Sequence, residues 1–137
     1  MGKAQPMIHR KANAVIHELD NLCRELTFAR DHHRCMKCGK PNRLQWCHVY
    51  SRRYRRLRWN LLNCMALCAG CHLLWHHRPL EAMRWFTETV GAEKSARLEM
   101  AARSKDTTKL DLEAVRLYLT QQLEKKPISV KSERSDP

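Results

Sequence analysis

The segment that decides the fold of this 137-residue chain runs from Cys35 to His77 and reads CMKCGKPNRLQWCHVYSRRYRRLRWNLLNCMALCAGCHLLWHH. One Cys-x-x-Cys pair opens the segment, and a second pair lies near its end. Tetrahedral zinc takes four soft ligands, so two such pairs in one short chain predict a structural Zn²⁺ site. The predicted ligands are Cys35, Cys38, Cys68 and Cys71.

Disulfide bonds are the competing interpretation of these cysteines. The chain has 7 Cys, an odd number, and its first residues, MGKAQPMIHRK, contain no apolar signal segment. Both features favour a cytoplasmic protein. In such a reducing compartment, Cys-x-x-Cys pairs bind metal or act in redox reactions. A thioredoxin-type redox pair needs a βαβ context, which neither pair has. Cys23 and Cys64 are expected to be small buried apolar residues.

Positive charge is concentrated on the same segment. The net charge is +12, and residues 32–80 contain ten Lys and Arg but no Asp or Glu. Such a concentration of charge favours a phosphate backbone as the partner. The simpler alternative is a solvated basic face that keeps the protein in solution.

The most basic stretch is Ser51–Trp59, which we call the arginine loop and which contains five arginines and two aromatic residues. Guanidinium groups contact phosphates and aromatic rings stack on bases, so this loop is the predicted contact with nucleic acid. In the alternative interpretation, Tyr54, Leu57 and Trp59 anchor an exposed basic loop in the core, and both interpretations can hold together. The five arginines are Arg52, Arg53, Arg55, Arg56 and Arg58.

Hydrophobic periodicity predicts helices on both sides of a short β segment, and hence an α+β fold. Apolar residues repeat at helical spacing over 12–29, whereas 44–50 is rich in β-branched and aromatic side chains. A further helix is expected to begin at Cys68. Proline and glycine delimit amphipathic helices over 79–90 and 92–103.

A third C-terminal helix is expected after these two, capped by one of residues 106–108. The patterns divide the chain into an N-terminal tail with its supporting helix (1–31), a zinc-binding core (32–78), a helical extension (79–126) and a disordered tail (127–137). No apolar stretch is long enough to span a bilayer, so no membrane contact is expected.

The histidines of the segment suggest chemistry beyond the structural zinc. His72 and His76 stand four residues apart on the predicted helix, so both imidazoles emerge on one face, as a divalent ion requires. A pair of surface histidines is the simpler alternative. The segment has no carboxylate for a two-metal nuclease mechanism. A neutral imidazole can instead deprotonate water, and His48 is the candidate; a strand histidine that only hydrogen-bonds in the core is equally consistent.

Together these residues resemble an HNH (ββα-metal) endonuclease with a zinc-binding frame. The resemblance covers residues 35–77 and rests on the two cysteine pairs, His48, Asn63, His72 and His76. It implies a ββα-metal core in which His48 is the general base and Asn63 orients the loop that carries it. It also implies that His72 binds the catalytic ion, with His76 as a further ligand.

The chain departs from the family pattern at one position. The residue before the general base is usually a metal-binding Asp or His in the family, and here it is Cys47. A thiolate suits a soft ion and is a poor partner for Mg²⁺. Two possibilities therefore stay open, namely a Cys47 ligand to a soft ion or a water molecule in its place.

A closer resemblance, with looser motifs, is to the NinG (Rap)-type recombination nucleases of phages. It rests on the SRRY, LRW and Asn run before the second cysteine pair and on Trp85-Phe86 and Val90-Gly91. It implies a structure-directed nuclease that acts on branched DNA in a bacterial host cell. The implied cofactors are structural Zn²⁺ and a catalytic divalent cation, either Mg²⁺, Mn²⁺ or another transition metal. Cutting both strands, or a symmetric junction, would imply a homodimer.

Two other functions compete with a nuclease. A non-catalytic zinc-finger DNA-binding protein needs the cysteines and the arginines. It has no use for a combined set of His48, Asn63, His72 and His76. A structural zinc protein that binds other proteins has no use for the acid-free basic segment.

Overall fold

The computed structural model describes residues 7–125, with side chains from residue 11 onward. A loose N-terminal tail is expected over residues 1–10; residues 7–10 belong to the first helix, and residues 1–6 lie outside the described residues, as does the predicted disordered tail over 127–137. The elements in chain order are α1 (Met7–Arg30), β1 (Leu44–His48), β2 (Cys64–Cys68), α2 (Ala69–His77), α3 (Pro79–Val90), α4 (Ala92–Arg103) and α5 (Leu112–Leu123). The α+β class is therefore confirmed. No helix within this part of the chain is long and apolar enough to cross a membrane.

An antiparallel hairpin followed directly by a helix forms the centre of the fold. Leu44 of β1 lies opposite Cys68 of β2, and His48 lies opposite Cys64. Successive side chains of a strand point to opposite faces, so this register gives the hairpin two distinct faces. Two short 3₁₀ turns, Arg55–Leu57 and Leu61–Asn63, complete the connection between the strands.

The two faces of the hairpin carry two separate apolar clusters. On one face, Cys47, Met65 and Leu67 pack with side chains of α3 and α4, including Phe86 and Leu98. On the other face, the cluster joins α1, the hairpin and α5; its buried members are Leu19, Cys23, Leu26, Trp46, Trp59, Cys64 and Leu119. The expected burial of Cys23 and Cys64 is confirmed. The hairpin is thus covered on both sides.

A buried ion pair fastens the end of α1 to β2. Arg30 Nε lies 2.9 Å from Asp31 Oδ1, and both side chains are almost fully buried. The Arg30 guanidinium also donates to the carbonyl oxygens of Leu61 and Cys64, each at 2.6 Å. Asp31 Oδ2 accepts the N–H of Ala66 at 2.9 Å. These bonds satisfy both charges and fix α1 against the strand that leads into α2.

The structure differs from the sequence-based expectations at three points. The helix expected over 12–29 spans Met7–Arg30, and the strand expected over 44–50 ends at His48. His32 and His33 both have positive φ, at 57° and 54°, where α1 ends in a left-handed turn. The last helix is capped by Asp111, whose side chain accepts the N–H of Ala114, rather than by a residue of 106–108.

Candidate functional site

The four cysteines of the two Cys-x-x-Cys pairs come together at the end of the hairpin. Their Sγ atoms all lie within 4.8 Å of one another, and those of Cys38 and Cys68 are 3.6 Å apart. Zn–S bonds of about 2.3 Å in a tetrahedron imply sulfur separations of roughly 3.8 Å. The donor set and its spacing fit a zinc ion, with sub-ångström adjustment of the sulfurs.

Backbone N–H groups point at the sulfurs in the same way in both pairs. Cys38 N lies 3.5 Å from Cys35 Sγ, and Cys71 N lies 3.4 Å from Cys68 Sγ. Burial acts to raise the pKa of the Cys35 thiol, but the nearby N–H groups outweigh it and lower that pKa to about 7. Gly39 closes the first turn at φ 78°, a conformation that favours glycine. Both turns therefore suit thiolate ligands.

His72 and His76 form a pair on the exposed side of α2. Their Nε2 atoms are 2.9 Å apart and their ring centroids are 4.7 Å apart. Two imidazole ligands at about 2.1 Å from one ion, at right angles, have nitrogens roughly 3 Å apart. The pair therefore fits two neighbouring positions around a divalent ion.

Gln45 is a site residue that the sequence analysis missed. Its Oε1 is hydrogen bonded to Nδ1 of His72. Because Oε1 can only accept, the proton lies on Nδ1 and the lone pair of His72 is on Nε2, which faces His76. The signal for this contact is the strand register, since Leu44 lies opposite Cys68 and Gln45 therefore stands next to the start of α2.

His48 ends β1 on the face that carries Trp46. Its Nε2 lies 2.9 Å from the carbonyl oxygen of Arg58, and its ring contacts the Trp46 ring edge-on at 4.3 Å. The carbonyl can only accept, so the proton lies on Nε2 and Nδ1 carries the lone pair. Burial, followed by the charges of Arg52 and Arg58, lowers the pKa of His48. The imidazole is therefore neutral at pH 7, as a general base requires.

Asn63 ties together the loop that follows His48. Its side chain is fully buried, with Oδ1 accepting the N–H of Tyr50 at 2.8 Å. Its Nδ2 donates to the carbonyl oxygens of Tyr50 at 2.9 Å and of Leu57 at 3.0 Å. The backbone oxygen of Asn63 also accepts the N–H of Val49 at 2.8 Å. Both ends of the arginine loop are thus bound to one side chain.

The arginines of this loop have different surroundings. Arg58 makes two hydrogen bonds to the Asp20 carboxylate, at 2.9 and 2.7 Å, and Trp59 Nε1 donates to the same group. Arg56 donates to the carbonyl oxygens of Asp106, at 3.3 Å, and Thr108. These two guanidinium groups therefore connect the loop to α1 and to the connection between α4 and α5.

The other three arginines are exposed, and the guanidinium of Arg52 lies over the Trp46 ring, 5.3 Å from its centroid. Leu57 and Trp59 are buried, whereas Tyr54 is 46% exposed. The predicted anchoring of the loop in the core is therefore correct for Leu57 and Trp59 and wrong for Tyr54.

The structure brings His72 and His76 together and puts His48 in a separate position. Gln45, on β1, contacts His72. His48 lies three residues further along β1, a rise of roughly 10 Å, and the two side chains face opposite sides of the hairpin. Within residues 7–125, the four cysteines are the one group of three or more possible ligands close enough to hold an ion.

Cys47 is a core residue. It is 1% exposed, packs in the cluster with α3 and α4, and burial raises the pKa of its thiol to about 12. Its Sγ belongs to no group of three or more possible metal ligands among the described residues and lies in the apolar cluster instead. Of the two possibilities that the sequence left open, the structure favours a site without Cys47.

No family model, curated protein or solved structure matches this chain. Its function must therefore be inferred from the hairpin and helix, the cysteine group, the two histidine positions and the basic loop.

Proposed function

We propose that this chain is a metal-dependent HNH (ββα-metal) endonuclease that hydrolyses phosphodiester bonds in DNA, with branched recombination intermediates as the preferred substrates. The observation that carries the proposal is the Asn63 side chain, which binds both ends of the loop that follows His48. The HNH resemblance assigns this task to the Asn, between a hairpin His and a helix His. The antiparallel hairpin followed directly by α2 supplies the corresponding topology.

His48 is the proposed general base. Its Nε2–H is held by the Arg58 carbonyl, so Nδ1 is available to take a proton from water. Its lowered pKa keeps the base in its active, neutral form at pH 7. The Arg58 carbonyl is itself fixed, because the side chain of Arg58 is bound to Asp20 on α1.

His72 and His76 are the proposed ligands of the catalytic ion, and Gln45 sets the tautomer of His72. A divalent ion bound there supplies Lewis-acid stabilisation of negative charge on the phosphate oxygens. Two imidazoles without a carboxylate select a transition metal over Mg²⁺.

In the proposal, His48 serves the attacking oxygen of an in-line displacement, and the ion at the histidine pair serves the leaving oxygen. In that reaction the attacking and leaving oxygens lie on opposite sides of phosphorus, so the groups that serve them stand several ångströms apart. In the described chain β1 pairs with β2 alone, so no strand covers its other edge. The proposal places the DNA backbone along this edge, between His48 and the histidine pair.

The test is cleavage of supercoiled plasmid, linear duplex and a four-way junction in Mg²⁺, Mn²⁺, Co²⁺ or EDTA. Wild-type protein should cut in a metal-dependent manner, and His48→Ala should lose cutting while it keeps its fold and its affinity for DNA. His17→Ala, which removes an exposed histidine on α1, is the matched control and should cut normally. Equal cutting by His48→Ala and wild type would contradict the mechanism.

A zinc-stapled DNA-binding protein is the second candidate. The observation in its favour is that the cysteine group, within the described residues, is the one set of three or more ligands close enough for an ion. Tight, salt-sensitive binding to DNA without cutting of any substrate would establish this function instead.

A further inference from the structure

A groove of about 410 Å³ separates the arginine loop from the connection between α4 and α5. Leu57 and Leu110 line it with apolar surface, and Arg53, Arg55 and Lys109 add positive charge. Tyr54 also lines the groove, with 46% of its surface exposed and its ring edge-on to Tyr50 at 5.6 Å. The groove therefore combines an accessible aromatic ring, an apolar lining and several cations.

Arg56 holds the two walls of this groove together. Its guanidinium reaches across from the arginine loop to the carbonyl oxygens of Asp106 and Thr108, and forms an ion pair with the Asp106 carboxylate at 3.3 Å. Asp106 also accepts the N–H of Thr108 at 2.9 Å, which shapes the connection into a turn. Asp106 is the one acid among the lining residues, and Arg56 neutralises it. The remaining charge of the groove is positive.

We propose that this groove binds an unpaired nucleotide of single-stranded DNA, with its base on the Tyr54 ring and its phosphates against Arg53, Arg55 and Lys109. The volume falls in the range of small-molecule sites, whereas a duplex is far too wide to enter. Stacking requires a base whose face is free, which a base inside a duplex does not offer. The inference rests on DNA as the partner in the proposed function, and it adds a reason to prefer branched substrates that expose unpaired bases.

The test measures binding alone, in a His48→Ala background without added divalent ions. Fluorescence anisotropy compares an oligothymidine with a duplex of the same length. Tyr54→Leu should weaken binding of the single strand about tenfold and leave duplex binding within about twofold. Tyr118→Leu is the matched control, because Tyr118 is 48% exposed on α5. It should change neither affinity.

A charge variant tests the opposite wall of the groove. Lys109→Gln should weaken single-strand binding several-fold and reduce the salt dependence of log K by about 0.7, as expected for one lost phosphate contact on a single strand. Lys105→Gln, an exposed lysine in the same connection but outside the lining, should have no such effect. Photocrosslinking of an oligonucleotide that contains 5-iododeoxyuridine should attach to Tyr54.

Three results would overturn the proposal: equal effects of Tyr54→Leu and Tyr118→Leu, equal losses for single strand and duplex, or crosslinks confined to residues outside the groove. Cleavage by the wild-type protein is scored separately. If the wild-type protein cuts DNA and Tyr54→Leu binds single strands normally, nucleotide binding in the groove is refuted but the nuclease function is not. If binding depends on Tyr54 but the wild-type protein does not cut, the nuclease function is refuted but nucleotide binding in the groove is not.

Discussion

Asn63 and Tyr50 are joined by two hydrogen bonds of opposite direction, with Oδ1 accepting from the Tyr50 N–H at 2.8 Å and Nδ2 donating to the Tyr50 carbonyl at 2.9 Å. This pairing imitates a strand ladder at a point where the chain has already left β1. It sets the path of the backbone immediately after His48. The position of the proposed base therefore depends on an amide that lies fifteen residues further along the chain.

Replacement of Asn63 by Ala should lower the free energy of unfolding by about 3 kcal/mol, because it leaves buried backbone groups of Tyr50 and Leu57 without partners. Asn60→Ala is the control, since Asn60 makes one capping bond to the N–H of Leu62 and its loss should cost about 1 kcal/mol. Urea denaturation of the zinc-loaded proteins measures the loss of stability in both variants. Equal costs for the two variants would show that Asn63 is an ordinary turn residue.

Arg58 should behave as a structural residue, unlike its neighbours in the arginine loop. Its paired bonds to Asp20 are half-buried, so Arg58→Gln should cost about 1–2 kcal/mol of stability. Arg53→Gln changes an exposed side chain and should stay within about 0.5 kcal/mol of wild type. Thermal unfolding at one ionic strength compares the two. If Arg53→Gln were the more destabilising variant, the structural role assigned to Arg58 would be wrong.

The pKa of His48 should respond to Arg52. Burial lowers this pKa, Arg52 and Arg58 lower it further, and the Arg58 carbonyl and Asp20 act in the opposite direction. Arg52→Gln removes one of the positive charges, so the His48 pKa should rise towards its ordinary value. NMR titration of the imidazole carbon-bound protons measures the change, and Arg53→Gln serves as the control. A His48 pKa that is the same in both variants would show that the charge of Arg52 does not lower it.

The same shift makes stability depend on pH in a defined window. His48 binds a proton less readily in the folded than in the unfolded chain, so the free energy of unfolding should fall as pH drops from about 6.5 towards the folded-state pKa. Above pH 7, where His48 is neutral in both the folded and the unfolded chain, its contribution to the free energy of unfolding no longer changes with pH. His48→Gln should remove this part of the pH dependence. Denaturant unfolding at pH 5.0 to 7.5 tests it, with His17→Gln as the control.

Cysteine variants should separate the zinc ligands from the buried thiols. Cys68→Ser should lower zinc content and stability together, because a structural zinc contributes directly to folding. Cys47→Ala should lose some stability through a core cavity yet retain one zinc per chain. Metal analysis after gel filtration, combined with thermal unfolding, distinguishes the two. Loss of zinc from Cys47→Ala at wild-type stability would require a different ligand set.

Local pattern was enough to predict the elements whose limits are set by local chemistry. Helices α3 and α4 begin and end where proline, glycine and apolar spacing put them. The cysteine group follows from two pairs of a residue type that tetrahedral zinc prefers. The last helix was misjudged because Asp106 bonds to Thr108 and Arg56, so the cap falls to Asp111.

Long-range relationships could not be predicted in this way. The Arg58–Asp20 pair joins residues 38 positions apart, and nothing in the arginine loop distinguishes Arg58 from its neighbours. The contact between Gln45 and His72 depends on the strand register, since a slip of one residue would turn Gln45 to the other face. Each case depends on tertiary structure that periodicity does not contain.

The histidine pair should bind one exchangeable transition metal in addition to the structural zinc. Two imidazole nitrogens without a carboxylate favour Ni²⁺ or Co²⁺ over Mg²⁺, and Gln45 keeps the lone pair of His72 directed at His76. Titration calorimetry of zinc-loaded protein with Ni²⁺ measures the affinity. His76→Ala should abolish this binding, and Gln45→Leu should weaken it about 10- to 100-fold. Gln45→Glu should preserve it, because a carboxylate also accepts the Nδ1 proton.

His77→Ala is the matched control for the pair, because His77 is the next residue on α2 and is also exposed. It should leave the Ni²⁺ affinity within about twofold of wild type. Equal weakening by His77→Ala and His76→Ala would mean that α2 binds metal only as a loose cluster of histidines. Tight binding of Mg²⁺ at the same site would show that oxygen ligands, and not the imidazole pair, determine which ion the protein uses.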